Sequence, residues 1–308
     1  MKVSVVVPVY YNEPSLPALH QQFSDIAARL SDLEFEFIFV DDGSGDNSFG
    51  VLKEIAARDE RVKIVKLVRN FGSNIAILAG FAHARGDCAV VITADLQDPP
   101  ELIPELIARW RAGWKVVLAA RAKRHDPFIA RLWAGLFNRL YKRLVFSNFP
   151  ADGFDLFLAD RRVMDVLVKN AGPNLYLFGL LLWTGYKFDT VTFTRRERPF
   201  GKSRWTFSKK VKYFTDAFVG FSYLPLRLAS IAGLVLAILG FGYAIFIIIA
   251  RIVTGFPIEG WASLMVVVLL VTGTQLVLLG ILGEYLWRNL DETRRRPLYL
   301  IDQMVGFE

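Results

Sequence analysis

The sequence predicts an α/β fold with a mostly parallel sheet, followed by an amphipathic interfacial segment and a two-helix transmembrane hairpin. Three observations carry that expectation. Short apolar strand-like runs alternate with helically spaced segments through the first 120 residues, the pattern of parallel strands joined by crossover helices. These runs end in polar clusters, and in open sheets of this kind ligands sit beyond the carboxyl ends of the strands. Two stretches in the last third of the chain, each about 23 residues without a charge, have the length of a bilayer crossing.

The elements follow in order. Val3 to Val9 reads as a short buried strand, closed by Pro8 and Tyr10-Tyr11-Asn12-Glu13. Ser15 to Leu30 has helical spacing, with Leu16, Leu19, Phe23, Ile26 and Leu30 on one face. Phe35 to Val40 is a second strand ending in Asp41-Asp42-Gly43-Ser44, and a helix follows from Ser48 to Arg58. Val62 to Leu67 is a third strand, followed by Arg69-Asn70-Phe71-Gly72 and a helix from Asn74 to Ala84.

The stretch from Val90 to Glu101 anchors the chain. Its apolar run ends in Thr93-Ala94-Asp95-Leu96-Gln97-Asp98, and Pro99-Pro100 forbid the strand to continue. A buried strand thus delivers a carboxylate and an amide to its C-terminal edge. Asp95 with a nearby oxygen ligand can hold Mg²⁺ or Mn²⁺, and through it a diphosphate. The plainer alternative is that Asp95 caps the helix starting near Pro99. That helix runs from Pro100 to Ala112, and a fifth strand from Lys115 to Ala120 ends at Arg121.

Beyond the fifth strand, Leu132, Leu136, Leu140 and Leu144 space an amphipathic helix over Phe128 to Val145, surrounded by Arg131, Arg139, Lys142 and Arg143. Ala151-Asp152-Gly153-Phe154-Asp155 follows, then a helix through Val163 and Leu167. Lys187 to Thr194 reads as a strand leading into a basic loop, Arg195 to Arg204. No G-x-G-x-x-G and no phosphate-binding G-K-[ST] loop stands where a dinucleotide fold or a P-loop needs one.

Phe207, Val211, Phe214, Phe218 and Phe221 make an aromatic stripe flanked by Lys209, Lys210 and Lys212. Such a helix suits the membrane interface, or else packs on a core. Lys and Arg crowd before the first apolar run and after the second, whereas the link between them carries only Arg251. The positive-inside rule then puts both termini and the α/β domain on the cytoplasmic side. The expected divisions are a domain over 1–200, a juxtamembrane segment over 201–227, a hairpin over 228–287 with spans near 228–250 and 261–283, and a cytoplasmic tail over 288–308.

The 308 residues carry a net charge of +7 and a pI near 9.5, which suits anionic partners. Nucleic acid would rest on that charge alone, and the membrane face explains it better. No secretory signal opens the sequence. The single cysteine, Cys88, excludes an intrachain disulfide and reads as a buried structural thiol.

Four motifs then carry a family resemblance. Val6-Val7-Pro8-Val9-Tyr10 with Asn12-Glu13, Val40 to Ser44, Arg69 to Gly72, and Ala94 to Glu101 together resemble the family 2 inverting glycosyltransferases. The nearest branch is the polyprenyl-phosphate glycosyltransferases, such as dolichyl-phosphate mannose synthase and the bactoprenol glucosyltransferases. The resemblance implies a Rossmann-like, nucleotide-sugar-binding domain of the GT-A type, and covers nearly the whole chain. It implies that Pro8, Tyr10, Glu13, Asp41 and Asp42 grip the donor nucleoside, with Asn70 and Gly72 beside them. It makes Asp95 and Gln97 the metal and diphosphate ligands, for Mg²⁺ or Mn²⁺. Thr93 departs from the family pattern, standing where the first Asp of D-x-D is usual, which leaves the metal site one carboxylate short. Arg121 matches a family arginine near the phosphates. Asp155, in a variant of the family's G-D-F-R segment, is carried over as a catalytic or acceptor-side residue. Arg131, Arg198, Lys202 and Arg204 are expected at the acceptor phosphate.

The implied reaction moves a hexose from a nucleotide-sugar, UDP by default, to a polyprenyl phosphate at the cytoplasmic membrane. Exposed apolar stripes beside the hairpin favour self-association. Three rivals remain on the sequence. A processive polysaccharide synthase would need a Q-x-x-R-W motif and a larger membrane region. A catalytically degenerate scaffold is permitted by Thr93. A different lipid acceptor would leave the motifs unchanged.

Overall fold

A computed structural model describes residues 1–123, 135, 138–147, 149–150, 153–196, 199–200, 207–254 and 260–307. The chain divides into two compact units, one of Met1–Gly220 with Pro297–Glu308, the other of Phe221–Arg296.

In the first unit the elements run β1 (Lys2–Val9), α1 (Leu16–Arg29), β2 (Glu34–Asp41), α2 (Ser48–Ala56), β3 (Val62–Leu67), α3 (Ser73–His83), β4 (Cys88–Val91), a short turn of 3₁₀ helix (Pro100–Leu102), α4 (Ile103–Arg111) and β5 (Val116–Lys123). Then come α5 (138–144), β6 (Phe154–Asp160), α6 (Arg161–Asn170), α7 (Leu177–Trp183), β7 (Phe188–Thr194), α8 (Phe207–Phe221) and, after the second unit, β8 (Ile301–Val305). Among the described residues, the strands make one eight-stranded sheet in the order β7-β5-β6-β4-β1-β2-β3-β8.

The sheet is mostly parallel, as the alternation requires. β1 pairs parallel with both β2 and β4, β2 with β3, and β5 with β7. The order reverses at β1, whose neighbours are β2 on one side and β4 on the other. That reversal opens a crevice at the carboxyl ends of β1 and β4, the place where such sheets bind ligands. Val3, Val5, Val7 and Val9 of β1 share a buried cluster with Leu19 and Phe23 of α1, Leu52 of α2 and Ile107 and Trp110 of α4. Fully burying side chains of this size contributes about 1.5–3 kcal/mol each, which fixes the strand register. Cys88 is buried in this cluster, and burial pushes its thiol pKa up, so it is the inert packing residue the sequence suggests.

Three features differ from expectation. β6 and β8 were not foreseen, and both run antiparallel, β6 between β4 and β5 and β8 on the outer edge of β3. β8 takes residues expected as a tail and makes them an edge strand. Of the expected leucine stripe, Leu132 and Leu136 lie outside the described residues; within α5, Leu144 is 37% exposed whereas Asn138 and Tyr141 are buried. Tyr141 instead meets Phe149, Tyr176 and Phe218 edge-on, at centroid distances of 5.0 to 5.5 Å. The described part of α8 buries Asp216, Ala217 and Phe218 while Phe214 is 44% exposed, so one side of it packs on this aromatic cluster and Phe214 of the stripe stays open.

In the second unit, α9 (Leu224–Thr254) and α10 (Trp261–Thr293) contain two segments apolar and long enough to cross a membrane, Leu226–Ala250 and Leu264–Thr293. Neither has a buried window, so most of their leucines, isoleucines and valines stand exposed, an arrangement that water disfavours and lipid satisfies. α10 extends past the expected end of its span, carrying Arg288, Asp291 and Glu292 in its last turns. Tyr285 Oη donates to Ser222 O at 2.9 Å within this unit.

Candidate active site

The parallel strands all end at one edge, and the loops leaving that edge are tied to each other by side chains. After β1, Ser44 Oγ accepts the Tyr11 N–H at 3.1 Å and Ser48 Oγ accepts the Asn12 N–H at 3.0 Å. Ser15 Oγ donates to Ala94 O at 2.7 Å, joining the β1 loop to the β4 loop. Glu13 accepts the Asn47 N–H at 3.1 Å. Tyr11 holds φ of 58°, a conformation rare outside glycine, and its ring meets Tyr10 edge-on at 4.7 Å.

The two aspartates at the end of β2 have different tasks. Asp42 accepts the N–H of Phe71 at 2.6 Å and of Gly72 at 2.9 Å, one on each oxygen. It therefore shapes the Arg69–Gly72 loop, and each carboxylate oxygen has a further lone pair for the nucleoside contact the sequence suggested. Gly43, which follows Asp42, sits at φ +67°, and a Cβ there would lie 2.5 Å from the carbonyl carbon of Arg69; only glycine lets the two loops come this close. Asp41 is fully buried. Its Oδ1 accepts the Ser44 N–H at 3.0 Å, and its Oδ2 is buried with no hydrogen-bond partner among the described residues. Burial raises its pKa, against the Ser44 hydrogen bonds and the charge of Lys66. A buried, unsatisfied carboxylate oxygen is costly and calls for a donor from outside.

The β4 loop builds the second half. Asp95 does not cap a helix: Oδ1 accepts the Gln97 N–H at 3.2 Å, closing a local turn, and the 3₁₀ turn at Pro100 has no side-chain cap. Thr93 Oγ1 lies 2.9 Å from Asp95 Oδ1 and 2.7 Å from Asp98 Oδ2. Asp98 is fully buried, and desolvation raises its pKa against the pull of Arg195, Thr93 and Arg121. Arg195, the first residue after β7, reaches Asp98 Oδ1 at 3.6 Å and Asp95 Oδ2 at 4.0 Å. Gln97 and Arg196 are cross-tied: the Arg196 N–H donates to Gln97 O at 2.9 Å and Gln97 Nε2 to Arg196 O at 3.3 Å.

The structure thus brings Pro8, Tyr10, Glu13, Asp41, Asp42, Asn70, Gly72, Asp95 and Gln97 to the β1–β4 edge and its flanking loops. Arg121 lies on β5 opposite Phe193 of β7. Asp155 falls on β6, at the bulge where the β5–β6 register shifts between Ala119 and Ala120; bulges of this kind re-aim strands beside active sites. Its side chain lies outside the described part of the chain, as do Arg131, Arg198, Lys202 and Arg204. Asp98 and Arg195 were not singled out as site residues. Asp98 stands in the same motif as Asp95, and Arg195 opens the basic loop at a strand end; both signals were in the sequence, but only the fold puts them in contact.

Among the described residues no three His, Cys, Asp or Glu side chains converge to hold a metal. The donor set, one carboxylate and one amide, is hard and oxygen-based. It suits an Mg²⁺ or Mn²⁺ that keeps waters and takes its other ligands from substrate phosphates.

The family profile described as "Glycosyl transferase family 2" matches residues 4–167. The chain is 39% identical over 309 residues to the "Uncharacterized glycosyltransferase YkcC" of Bacillus subtilis, covering 100% of this chain and 95% of that protein. It is 35% identical over 305 residues to the "Prophage bactoprenol glucosyl transferase homolog" of Escherichia coli, covering 99% of each. It is 36% identical over 302 residues to the "Bactoprenol glucosyl transferase" of Shigella phage SfX, covering 98% of this chain and 99% of that one.

Proposed function

From a chain that belongs to glycosyl transferase family 2 and is a glycosyltransferase, we propose that it moves a hexose from a UDP-sugar to a polyprenyl phosphate, with inversion, on the cytoplasmic face of the membrane. The observation that carries the donor side is the buried Oδ2 of Asp41, which lacks a partner at the carboxyl edge of β2. A nucleobase or ribose donor satisfies it, as a carboxylate at a nucleoside site should. The acceptor is supported by the relatives whose names carry bactoprenol glucosyl transfer, and by two helices apolar enough to sit in the same bilayer as a polyprenyl chain.

The chain's own residues have distinct parts in this reaction. Asp41 fixes the nucleoside, and Asp42 holds the Arg69–Gly72 loop against it. Asp95, held by Thr93 and the Gln97 N–H, stands at the diphosphate, with Arg121 as a second phosphate contact. Asp95 and Gln97 would hold a divalent ion, which when bound supplies Lewis-acid stabilisation of the leaving diphosphate. The acceptor needs no general base, because a phosphate monoester with a second pKa of about 6 is mostly dianionic near neutral pH. Attack from the face opposite the leaving group inverts the anomeric carbon. Arg131, Arg198, Lys202 and Arg204 are proposed at the acceptor phosphate, where guanidinium groups bind bidentately.

Asp95→Asn tests the reading. The detergent-solubilised variant should lose transfer of labelled glucose from UDP-glucose to undecaprenyl phosphate by at least about 100-fold, the scale of removing one charge-stabilising group, with unchanged membrane insertion. Full transfer by the variant would overturn the assignment.

A further inference from the structure

The basic end of the hairpin carries an arrangement that the sugar-transfer reading does not use. Two contacts fix how α9 and α10 lie against each other. Tyr285 Oη donates to Ser222 O at 2.9 Å, and a Cβ on Gly233 would meet Leu278 Cδ1 at 3.7 Å. The helices are therefore antiparallel, and Arg227 lies level with the part of α10 between Leu278 and Tyr285. That level is apolar, with Leu226, Leu228, Ile231 and Leu282 all exposed. The Arg227 guanidinium turns back one helical turn and lies 4.3 Å from the centroid of the Tyr223 ring. A long cation leaves an apolar layer in this way, here with a ring face to rest on. Among the described residues no carboxylate pairs with Arg227. Glu284, on α10 near that level, is committed to Arg288 at 2.8 Å. Tyr223 is 60% exposed. Farther out, Arg294 rests on the Trp287 ring at 5.5 Å, and Arg295 and Arg296 follow it, exposed.

Depth agrees with this arrangement. The 25-residue span Leu226–Ala250 measures about 37 Å at about 1.5 Å per residue. That exceeds a hydrocarbon core of about 30 Å and falls short of the about 40–45 Å that includes the headgroups. Arg227, second in the span, thus stands in the phosphate layer. We propose that Arg227 and Tyr223 form a binding site for the phosphate of an anionic phospholipid, with Arg294 on Trp287 as an outer contact. The guanidinium takes two phosphate oxygens side by side, the Tyr223 hydroxyl donates one more hydrogen bond, and the exposed leucines flank the acyl chains. A headgroup with net negative charge fits better than a zwitterionic one, because no uncommitted carboxylate stands beside Arg227 to take an ammonium. The proposal rests on the bilayer reading of the hairpin and is independent of the sugar donor.

The test reconstitutes the full chain into vesicles of phosphatidylglycerol and phosphatidylcholine in equal parts. The protein is then taken up in a neutral detergent and its retained lipids are counted by native mass spectrometry. Wild type should retain phosphatidylglycerol over phosphatidylcholine by about 5-fold or more, the scale of one arginine at an anionic surface. Arg227→Gln should lower that preference by about 5-fold, and Arg227→Gln with Arg294→Gln should abolish it. Arg227→Lys should keep part of it, since an ammonium lacks the planar fork. Arg29→Gln, on α1, should match wild type. A circular dichroism melt of each variant separates misfolding from lost binding. Equal retention of the two lipids by wild type, or an unchanged preference in a folded Arg227→Gln, overturns the proposal. Displacement of the retained phosphatidylglycerol by undecaprenyl phosphate added to the same vesicles gives the site to the acceptor and also overturns it. Glucosyl transfer is assayed separately on the same preparations. Lipid preference without transfer removes only the reaction proposed above, and transfer without lipid preference removes only this site. A chain that does not enter the vesicles removes the bilayer reading of the hairpin, and this site with it.

Discussion

Asp41 and Asp42 are adjacent, equally buried and chemically identical, yet they do different work. Asp42 gives both oxygens to backbone N–H groups, whereas Asp41 keeps one buried oxygen unsatisfied. The folded pKa of Asp41 is raised, chiefly by desolvation. The ionised carboxylate therefore costs stability at neutral pH, and that cost disappears as pH falls from the raised folded value towards the unfolded one. Asp41→Asn should consequently leave the nucleotide-free protein as stable as wild type or more so, by about 1 kcal/mol at pH 7, and weaken UDP binding at least about 10-fold. Denaturant melts and calorimetry on one preparation check both parts. A variant less stable than wild type, with UDP binding unchanged, would show that Asp41 is structural like its neighbour. The sequence marked both aspartates through the motif, but could not say which oxygen would be left over, because that depends on where the Arg69–Gly72 loop comes to lie.

At the scale of elements, β8 is the part that sequence periodicity did not disclose. Its five residues Ile301–Val305 are too short and too polar to read as a strand alone. They become one because the edge of β3 offers unpaired backbone groups. The strand is secured by Lys66 to Asp302 at 2.7 Å, by the Val68 N–H to Leu300 O at 3.1 Å, and by Lys63 over the Phe307 ring at 5.5 Å. Val68 immediately precedes the Arg69–Gly72 loop, so β8 braces a loop of the proposed donor site. Gly306 turns the chain at φ +80°, and a Cβ there would meet Val62 O at 2.7 Å. Gly306→Ala should lower stability by about 1–3 kcal/mol. It should also speed proteolysis after Arg296, followed by mass spectrometry of the released peptide. An unchanged melting midpoint would mean that the strand is not clamped at this turn. β6 was hidden for a related reason: its apolar run Phe154 to Ala159 leads directly into α6, whose start Asp160 caps by accepting the Arg162 N–H at 3.2 Å, so strand and helix follow without a turn signal between them.

For the whole molecule, the two apolar helices interrupt a sheet that is completed only after them, since β8 follows α10 in the chain. The proposed orientation keeps Arg69, Arg121 and the basic segments cytoplasmic and the link between the spans outside. In a Cys88→Ala background, Glu259→Cys should react with a membrane-impermeant maleimide added to intact cells, whereas Asp302→Cys should react only after the membrane is opened. Labelling in the reverse order would invert the topology and remove the acceptor from the catalytic side.

The sequence by itself determined the α/β class, the mostly parallel sheet and the two membrane-length helices, and it marked most of the residues proposed for the donor side. Those depend on local periodicity, on strand ends and on apolar length, all of which are written along the chain. Only the tertiary structure decided that β6 and β8 run antiparallel, that α8 packs through Ala217 and Phe218, and that Arg195 stands against Asp95 and Asp98. Such contacts join residues far apart in sequence, and their energy exists only once the sheet has aligned the ends of its strands.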